Sequence, residues 1–255
     1  MPLLCFVKEM VMDSGFYSAY TGFASRLDAL DLLANNLANA NTPGYKAQFA
    51  FYRSLPVWLQ ASLTTPLNQA VNRYGILGGS RVDFSESNLE TTSNPTDLGL
   101  EGGGFFTVQA KAGLRFTRNG NFQLNAKHQL TTQQGDLVLG EAGPIVLPSG
   151  QITVSQDGTV SVDGGLVAKL KITEFPDGTQ LTPEGSSYFV APDGAGKVAA
   201  DPRVRQGALE TSNTNPAQAA VALIDLQRTA QMMEKALSIF HNECNKTAAQ
   251  DLPRV

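Results

Sequence analysis

The sequence predicts an α+β protein in which a helix at each end pairs as an α-helical coiled coil, with a mainly antiparallel β domain inserted between them. Three observations predict it. Apolar residues recur in alternating steps of four and three near both termini. From about Asn94 to Val190 glycines are frequent and apolar residues fall into short β-rich runs such as "GFFTVQA" and "QITVSQDGTVSV". Within that stretch Asn-Gly and Asp-Gly pairs stand between alternating runs, the strongest short-range sign of a hairpin.

Taken in order, residues 1–11 ("MPLLCFVKEMV") precede the first seam turn and stand apart as an extra N-terminal extension. Residues 12–47 hold the first helix, whose row is Phe16, Tyr20, Phe23, Leu27, Leu30, Ala34, Leu37 and Asn41. The helix is expected to stop at Thr42-Pro43-Gly44, because the residue before proline avoids the helical region and glycine accepts positive φ. Residues 48–93 show no sustained period of either kind. With Pro56, Pro66, Gly75, Gly78 and Gly79 they read as an extended connector holding at most one short strand pair, and the lone tryptophan, Trp58, lies there.

Residues 94–200 form the β domain, with hairpins expected at "RNGN" (118–121) and "QDGT" (156–159). Gly102 to Gly104 permit a close-packed bend before "FFTVQ", and Phe105, Phe106, Phe116, Phe122 and Phe175 alternate into the core. Residues 201–255 end the chain. There Glu210-Thr211-Ser212-Asn213-Thr214-Asn215-Pro216 launches the returning helix, with Asn215 as N-cap, Pro216 at the first helical position and Gln218 three residues after the cap. Its row is Leu223, Leu226, Ala230, Met233, Leu237, Phe240 and Cys244, and it is expected to pair with 12–47.

Composition narrows the function. A net charge of −4 over 255 residues carries no basic footprint for nucleic acid. No apolar run reaches the ~18 residues of a membrane span, so no membrane insertion is expected, and the start lacks the pattern of a cleaved signal peptide. Two cysteines, Cys5 and Cys244, give no disulfide framework. No catalytic, cofactor or metal site is indicated. The three glycines are not followed by Lys-Ser/Thr; His241 and Cys244 share a helix face at metal-like spacing, but Cys244 belongs to the apolar seam and the one other histidine is His128; and no motif selects Asp97, Glu101 and Asp136 as a carboxylate set for glycan cleavage. A rival reading, a β-domain binding module whose helices merely oligomerise it, would need a contiguous aromatic surface patch.

The stretches "LANNLANANTPGYKAQ", "LETTSNPTDLGLEGGGFFTVQ", "RFTRNGNFQL", "GDLVLG" and "VRQGALETSNTNPAQAAVALIDLQR" together resemble the flagellar basal-body rod and hook family of axial proteins. The resemblance covers the chain from Met12, and "GPIVLPSG" makes it most similar to the proximal rod subunit, with the distal rod protein next and hook relatives further off. It implies a structural subunit of the bacterial flagellum, exported unfolded through the type III apparatus without signal cleavage. Such a subunit polymerises helically into the drive shaft crossing the periplasm, with itself, other rod subunits and the surrounding ring proteins as partners. Against that family the first eleven residues are extra, which points to a start at Met12. In a tube of packed helices Asn41, on the seam, is expected to restrict register, and Asn35, Asn36 and Asn39 to bond to neighbouring subunits.

Overall fold

The computed structural model describes residues 3–53, 76–176 and 178–251. Pro56, Trp58, Pro66 and Gly75 lie outside them, as do the side chains of Phe16, Phe240, His241 and Cys244. The chain divides into two units. One holds helix α1 (Leu3–Ala38), strand β1 (Gln48–Arg53), strand β2 (Ile76–Val82) up to Arg81, and helix α2 (Pro216–Asp251); the other holds 38–47 and 82–215.

In the helical unit α1 and α2 are both long, and β1 and β2 form a two-stranded ribbon. Ala29, Leu32 and Leu33 of α1, Phe49 and Ala50 of β1, and Ala222 and Leu226 of α2 line one shallow groove. The buried side of α1 is a row of small residues, Gly22, Ser25 and Ala29, continued by Asn36. Small side chains let a helix come close to its support, and these steps of three, four and seven keep to one face. The expected row falls elsewhere: Tyr20 is 56% and Leu27 43% exposed, Ala34 is exposed, and Phe23, Leu30 and Leu37 are half-buried. On α2 the expected row faces inward, with Ala230 buried and Leu223, Leu226, Met233 and Leu237 half-buried.

The β unit contains β3 (Leu89–Thr91), β4 (Leu98–Glu101), β5 (Phe105–Ala110), β6 (Gly113–Thr117), β7 (Phe122–Leu124), β8 (Leu130–Thr132), β9 (Leu137–Gly140) and β10 (Gly143–Pro144). It continues through β11 (Ile152–Val154), β12 (Thr159–Val162), β13 (Gly165–Lys169), β14 (Ile172–Glu174), β15 (Thr182–Glu184), β16 (Tyr188–Val190), β17 (Lys197–Val198), β18 (Arg203–Gln206) and β19 (Ala208–Glu210). A ten-stranded sheet runs β15-β16-β6-β5-β9-β8-β7, with β10, β14 and β17 alongside, and β11-β12-β13 form a meander. The pairings are antiparallel, including the long-range pairs β18 with β4 and β19 with β3. These last two bring 203–210 into the β unit, beyond the 94–200 that the glycine-rich texture delimits.

Neighbouring phenylalanines serve opposite faces of β5, as the two-residue period of a strand requires. Phe106 meets Phe122 edge-on at 5.1 Å within the main core, alongside Leu98, Val108, Val138 and Leu170. Phe105 joins a second aromatic cluster with Phe84, Phe175 and Phe189, each 5.6–5.7 Å from it. Phe116 stacks edge-on against Phe175 at 4.8 Å.

Of the two expected hairpins, one forms. "QDGT" joins β11 to β12, with Gly158 at φ +80° and its N–H donating to the Ser155 carbonyl. "RNGN" does not: β6 pairs with β5 and β16, β7 pairs with β8, and the chain between them crosses beneath β4. Gly120 is needed there for space and not for a hairpin turn. A Cβ on it would overlap the Leu98 carbonyl, and Leu98 N donates to the Gly120 carbonyl at 3.0 Å. A two-residue hairpin appears instead at Asp163-Gly164, both at positive φ (51° and 80°), between β12 and β13. Gly104, at φ +100°, makes the expected close bend before β5, where a Cβ would come within 2.9 Å of Ile172.

Tyr188 on β16 donates to Asp136 Oδ2 at 2.8 Å and lies 2.8 Å from Thr132 Oγ1. Burial, with the Asp136 carboxylate adding to it, pushes its phenol well above the ordinary tyrosine value, and burial raises Tyr45 as well. Both protons are held more tightly in the folded chain than in the unfolded one, so their stabilisation is complete below the unfolded value of about 10 and is lost as pH rises beyond it. Thermal melts at stepped alkaline pH should therefore show stability dropping above about pH 10, with a shallower drop in Tyr188→Phe. An identical pH slope in that variant would refute the assignment to Tyr188.

Candidate functional site: the join between the two chain ends

The residues expected to end the first helix and launch the last meet within the β unit. Helix α1 ends at Ala38 and Thr42-Pro43-Gly44-Tyr45 closes a turn, with Tyr45 N donating to the Thr42 carbonyl at 3.2 Å. Proline second and glycine third, at φ +66°, are what a type II turn requires. Asn39 is used locally, its carbonyl accepting from Thr42 N and its Oδ1 from Thr42 Oγ1.

The turn is pinned to β19 and the residues after it. Gly44 N donates to the Glu210 carbonyl at 2.7 Å, and Ala47 N to Asn213 Oδ1 at 2.7 Å. Asn213 Nδ2 in turn donates to the Asp83 carbonyl at 2.9 Å. At the centre lies Glu210, 1% exposed. Its Oε1 accepts from Lys46 Nζ at 2.6 Å and from Ser87 N at 3.2 Å, while Oε2 accepts from Arg118 Nη1 at 3.3 Å. Lys46 Nζ also donates to the Ser85 carbonyl, and Arg118 Nη2 to the Gly102 carbonyl. The Arg118 guanidinium sits 5.2 Å over the Phe105 ring. Burial holds the Lys46 ammonium below the ordinary lysine value, and the hydrogen bond and charge of Glu210 oppose that shift. Two buried cations thus share one buried carboxylate, and Arg118 Nε has no hydrogen-bond partner among the described residues. All three charged side chains are buried, and their bonds join the segment after α1 to the residue following β6 and to β19.

Of the three carboxylates named above, Asp97 accepts from Asn94 Nδ2 at 3.0 Å and Asp136 from the Tyr188 hydroxyl at 2.8 Å. Ser212 Oγ accepts from Thr214 N at 3.1 Å, and Asn215 directly precedes Pro216, the first residue of α2.

Comparison with known proteins follows the same three segments. The family model "Flagella basal body rod protein" matches residues 16–46, "Flagellar hook protein FlgE/F/G D1 domain" matches 99–162, and "Flagellar basal body rod FlgEFG protein C-terminal" matches 205–241. The flagellar basal-body rod protein FlgF of Salmonella typhimurium is 34% identical over 249 residues, covering 91% of this chain and 96% of that protein. The chain belongs to the flagellar basal-body rod and hook protein family. It is a structural subunit of the basal-body rod. FlgF of Escherichia coli K12 is 33% identical, covering 89% of this chain and 94% of its own length. FlgG of Borreliella burgdorferi is 29% identical, covering 91% and 96%.

In this rod subunit the join unites the end of the first matched segment with the start of the third, since Lys46 and Glu210 stand 164 positions apart. Sequence reasoning did not single out Lys46 or Arg118, and read Glu210 only as part of a polar turn. The available sign was a charged residue inside each of the motifs "GYKA", "RNGN" and "GALETS", but no local period links them.

The asparagines also differ from expectation. Asn36 does not wait for a neighbouring subunit: it is 2% exposed, donates from Nδ2 to the Gln48 carbonyl at 2.7 Å and accepts from Gln48 N at 2.9 Å. Its carboxamide acts as one residue of a strand pair and docks β1 onto α1. Asn41 lies past the end of α1 and is exposed, so its expected place on a buried seam does not arise within the chain. Asn36→Ala is expected to cost about 1–3 kcal/mol by leaving both Gln48 backbone groups without their partner, whereas Asn41→Ala should change stability by less than about 0.5 kcal/mol. Urea denaturation of the two variants separates them, and equal midpoints would contradict this role for Asn36.

Proposed function

We propose that this rod subunit polymerises helically through α1 and α2, which act as the coiled-coil layer of a hollow drive shaft crossing the periplasm at the proximal end of the rod. It would reach that place through the flagellar type III apparatus without a cleaved signal and bind itself, other rod subunits and the surrounding rings. One observation carries the reading: the apolar row the sequence picks out on α1 is only partly covered among the described residues, with Tyr20 56% and Leu27 43% exposed and Phe23, Leu30 and Leu37 half-buried. A helix bearing an unburied heptad row gains its stability from a partner. The proximal position draws on the FlgF relatives at 34% and 33% identity.

Electron microscopy of basal bodies from a strain lacking this gene tests it. Rods should stop short and be restored by the full-length chain and by one starting at Met12. Complete rods without the gene would overturn the reading. A second reading, a distal rod or hook-type subunit, draws on the FlgG relative matched over 91% of the chain. Gold-labelled antibody on isolated basal bodies separates the two, since label at the distal end would favour the second.

A further inference from the structure

Strands β18 and β19 come late in the chain but are built into the core of the β unit. Among the described residues β3 and β4 each pair with one strand, and both partners, β19 and β18, belong to this stretch. On its other side β18 reaches the β11–β12 hairpin, where Val204 N donates to the Gln156 carbonyl at 2.8 Å and Val154 N to Gln206 Oε1 at 3.0 Å. Gly207 N donates to the Asp97 carbonyl and Thr211 N to the Asn88 carbonyl. Val204 sits in the main core with Leu98 and Leu100, and Ala208 and Leu209 are buried as well. The same stretch brings Glu210, whose carboxylate Lys46 and Arg118 share.

We infer that residues 203–213 are a lock that closes the β unit: until this segment docks, the rest of the unit does not fold. Without it β3 and β4 lose the strands they pair with, and Leu98 and Leu100 lose the apolar cover of Val204. Two cations whose side chains are 0% and 4% exposed are left without a counter-charge. An uncompensated buried charge is among the costliest defects a fold can carry, and domains are only marginally stable. The contacts also close long loops, 92 residues for Arg118 with Glu210 and 164 for Lys46. Ordering the chain ahead of them costs entropy that only their arrival offsets. A chain made from its N-terminus therefore keeps residues 82–202 open until its last strands are free. On the reading that the subunit is exported through the type III apparatus, on which this consequence rests, the lock holds the chain in the unfolded form that passage requires.

Native-state hydrogen exchange of the purified full-length chain, followed residue by residue at rising urea below the unfolding transition, tests the lock. The Val204 and Gly207 amides should open together with those of Thr107 and Lys171, which bond to the Lys171 and Leu139 carbonyls in the main sheet. Their opening constants should agree within about tenfold, as in one cooperative unit. A larger excess of opening at Val204 and Gly207, with Thr107 and Lys171 still protected, would overturn the proposal, because the sheet would then stand with the segment detached. A second measurement follows the chain as it is made. On ribosomes stalled at successive lengths, residues 82–202 should resist protease only once residue 213 has left the exit tunnel, and resistance gained while 203–213 is still inside would also overturn the lock. Both experiments read folding alone. Rods containing this subunit in a strain whose type III apparatus is inactive would remove the export reading without touching either folding result, so the two failures are distinguishable.

Discussion

Glu210→Gln is expected to destabilise the β unit by about 3–5 kcal/mol, the cost of leaving a buried charge uncompensated. The reason is arithmetic of charge in a dry place. Lys46 and Arg118 have side chains 0% and 4% exposed and share the Glu210 carboxylate at 2.6 and 3.3 Å. With Glu210 neutral, two cations face each other without a counter-charge between them, and neither can turn to water. Removing one cation is milder. In Lys46→Met the carboxylate keeps Arg118, so the loss should be smaller than in Glu210→Gln. Exposed pairs set the lower reference: Arg115 and Glu184 are 2.7 Å apart, but the Glu184 side chain is 49% exposed. Glu184→Gln should cost less than about 1 kcal/mol, as solvent already screens that pair. Urea denaturation of the three variants, followed by circular dichroism, gives the ranking. Equal midpoints for Glu210→Gln and Glu184→Gln would refute a central role for the buried carboxylate.

Gly44→Ala should be nearly as damaging. At φ +66° an alanine pays the left-handed penalty of about 1–2 kcal/mol. Its methyl group would also run into the main chain of Arg118 and Asn119, coming within 2.6 Å of the Arg118 carbonyl oxygen. Backbone cannot swing aside as a side-chain tip can, so the turn must lift away, breaking the Gly44 N–H bond to Glu210 and pulling Lys46 from its carboxylate. A total above about 3 kcal/mol follows, in the range of the severe packing and strain mechanisms. Gly102→Ala is the matched control: φ is +83°, yet a Cβ there meets nothing within 4 Å. It should show only the conformational term. Similar melting temperatures for the two variants would mean that close approach at Gly44 does not matter.

Both predictions rest on the same feature, the meeting of "TPGYKA" with "GALETSN". The single sequence names both motifs because each is a local event. Proline followed by glycine dictates a turn whatever surrounds it, and Asn215 with Pro216 marks a helix start within four residues. The two end helices and the β texture are legible for the same reason, since a period of 3.5 or 2 is written in neighbouring residues. So is the hairpin at "QDGT", where strand, turn and strand are adjacent.

What the tertiary structure decided is everything that depends on distant partners. Asn119-Gly120 carries the same dipeptide signal as a hairpin, yet the strands on either side find other neighbours and the glycine is used to pass beneath Leu98. Asn36 shares the helix face of Gly22, Ser25 and Ala29, but the partner that satisfies its amide there, Gln48, lies twelve residues on. The heptad row on α1 is visible in sequence, but which side of the helix its own chain covers is set by small residues, Gly22, Ser25 and Ala29. Lys46, Arg118 and Glu210 become one ionic cluster only after 164 residues of chain have closed around them. Sequence by itself determined the elements and the motifs, because propensity and periodicity act over a few residues. Their pairing, and hence the join that holds this rod subunit's two ends together, was decided by long-range burial, in which each polar group has to find the one partner the fold brings within reach.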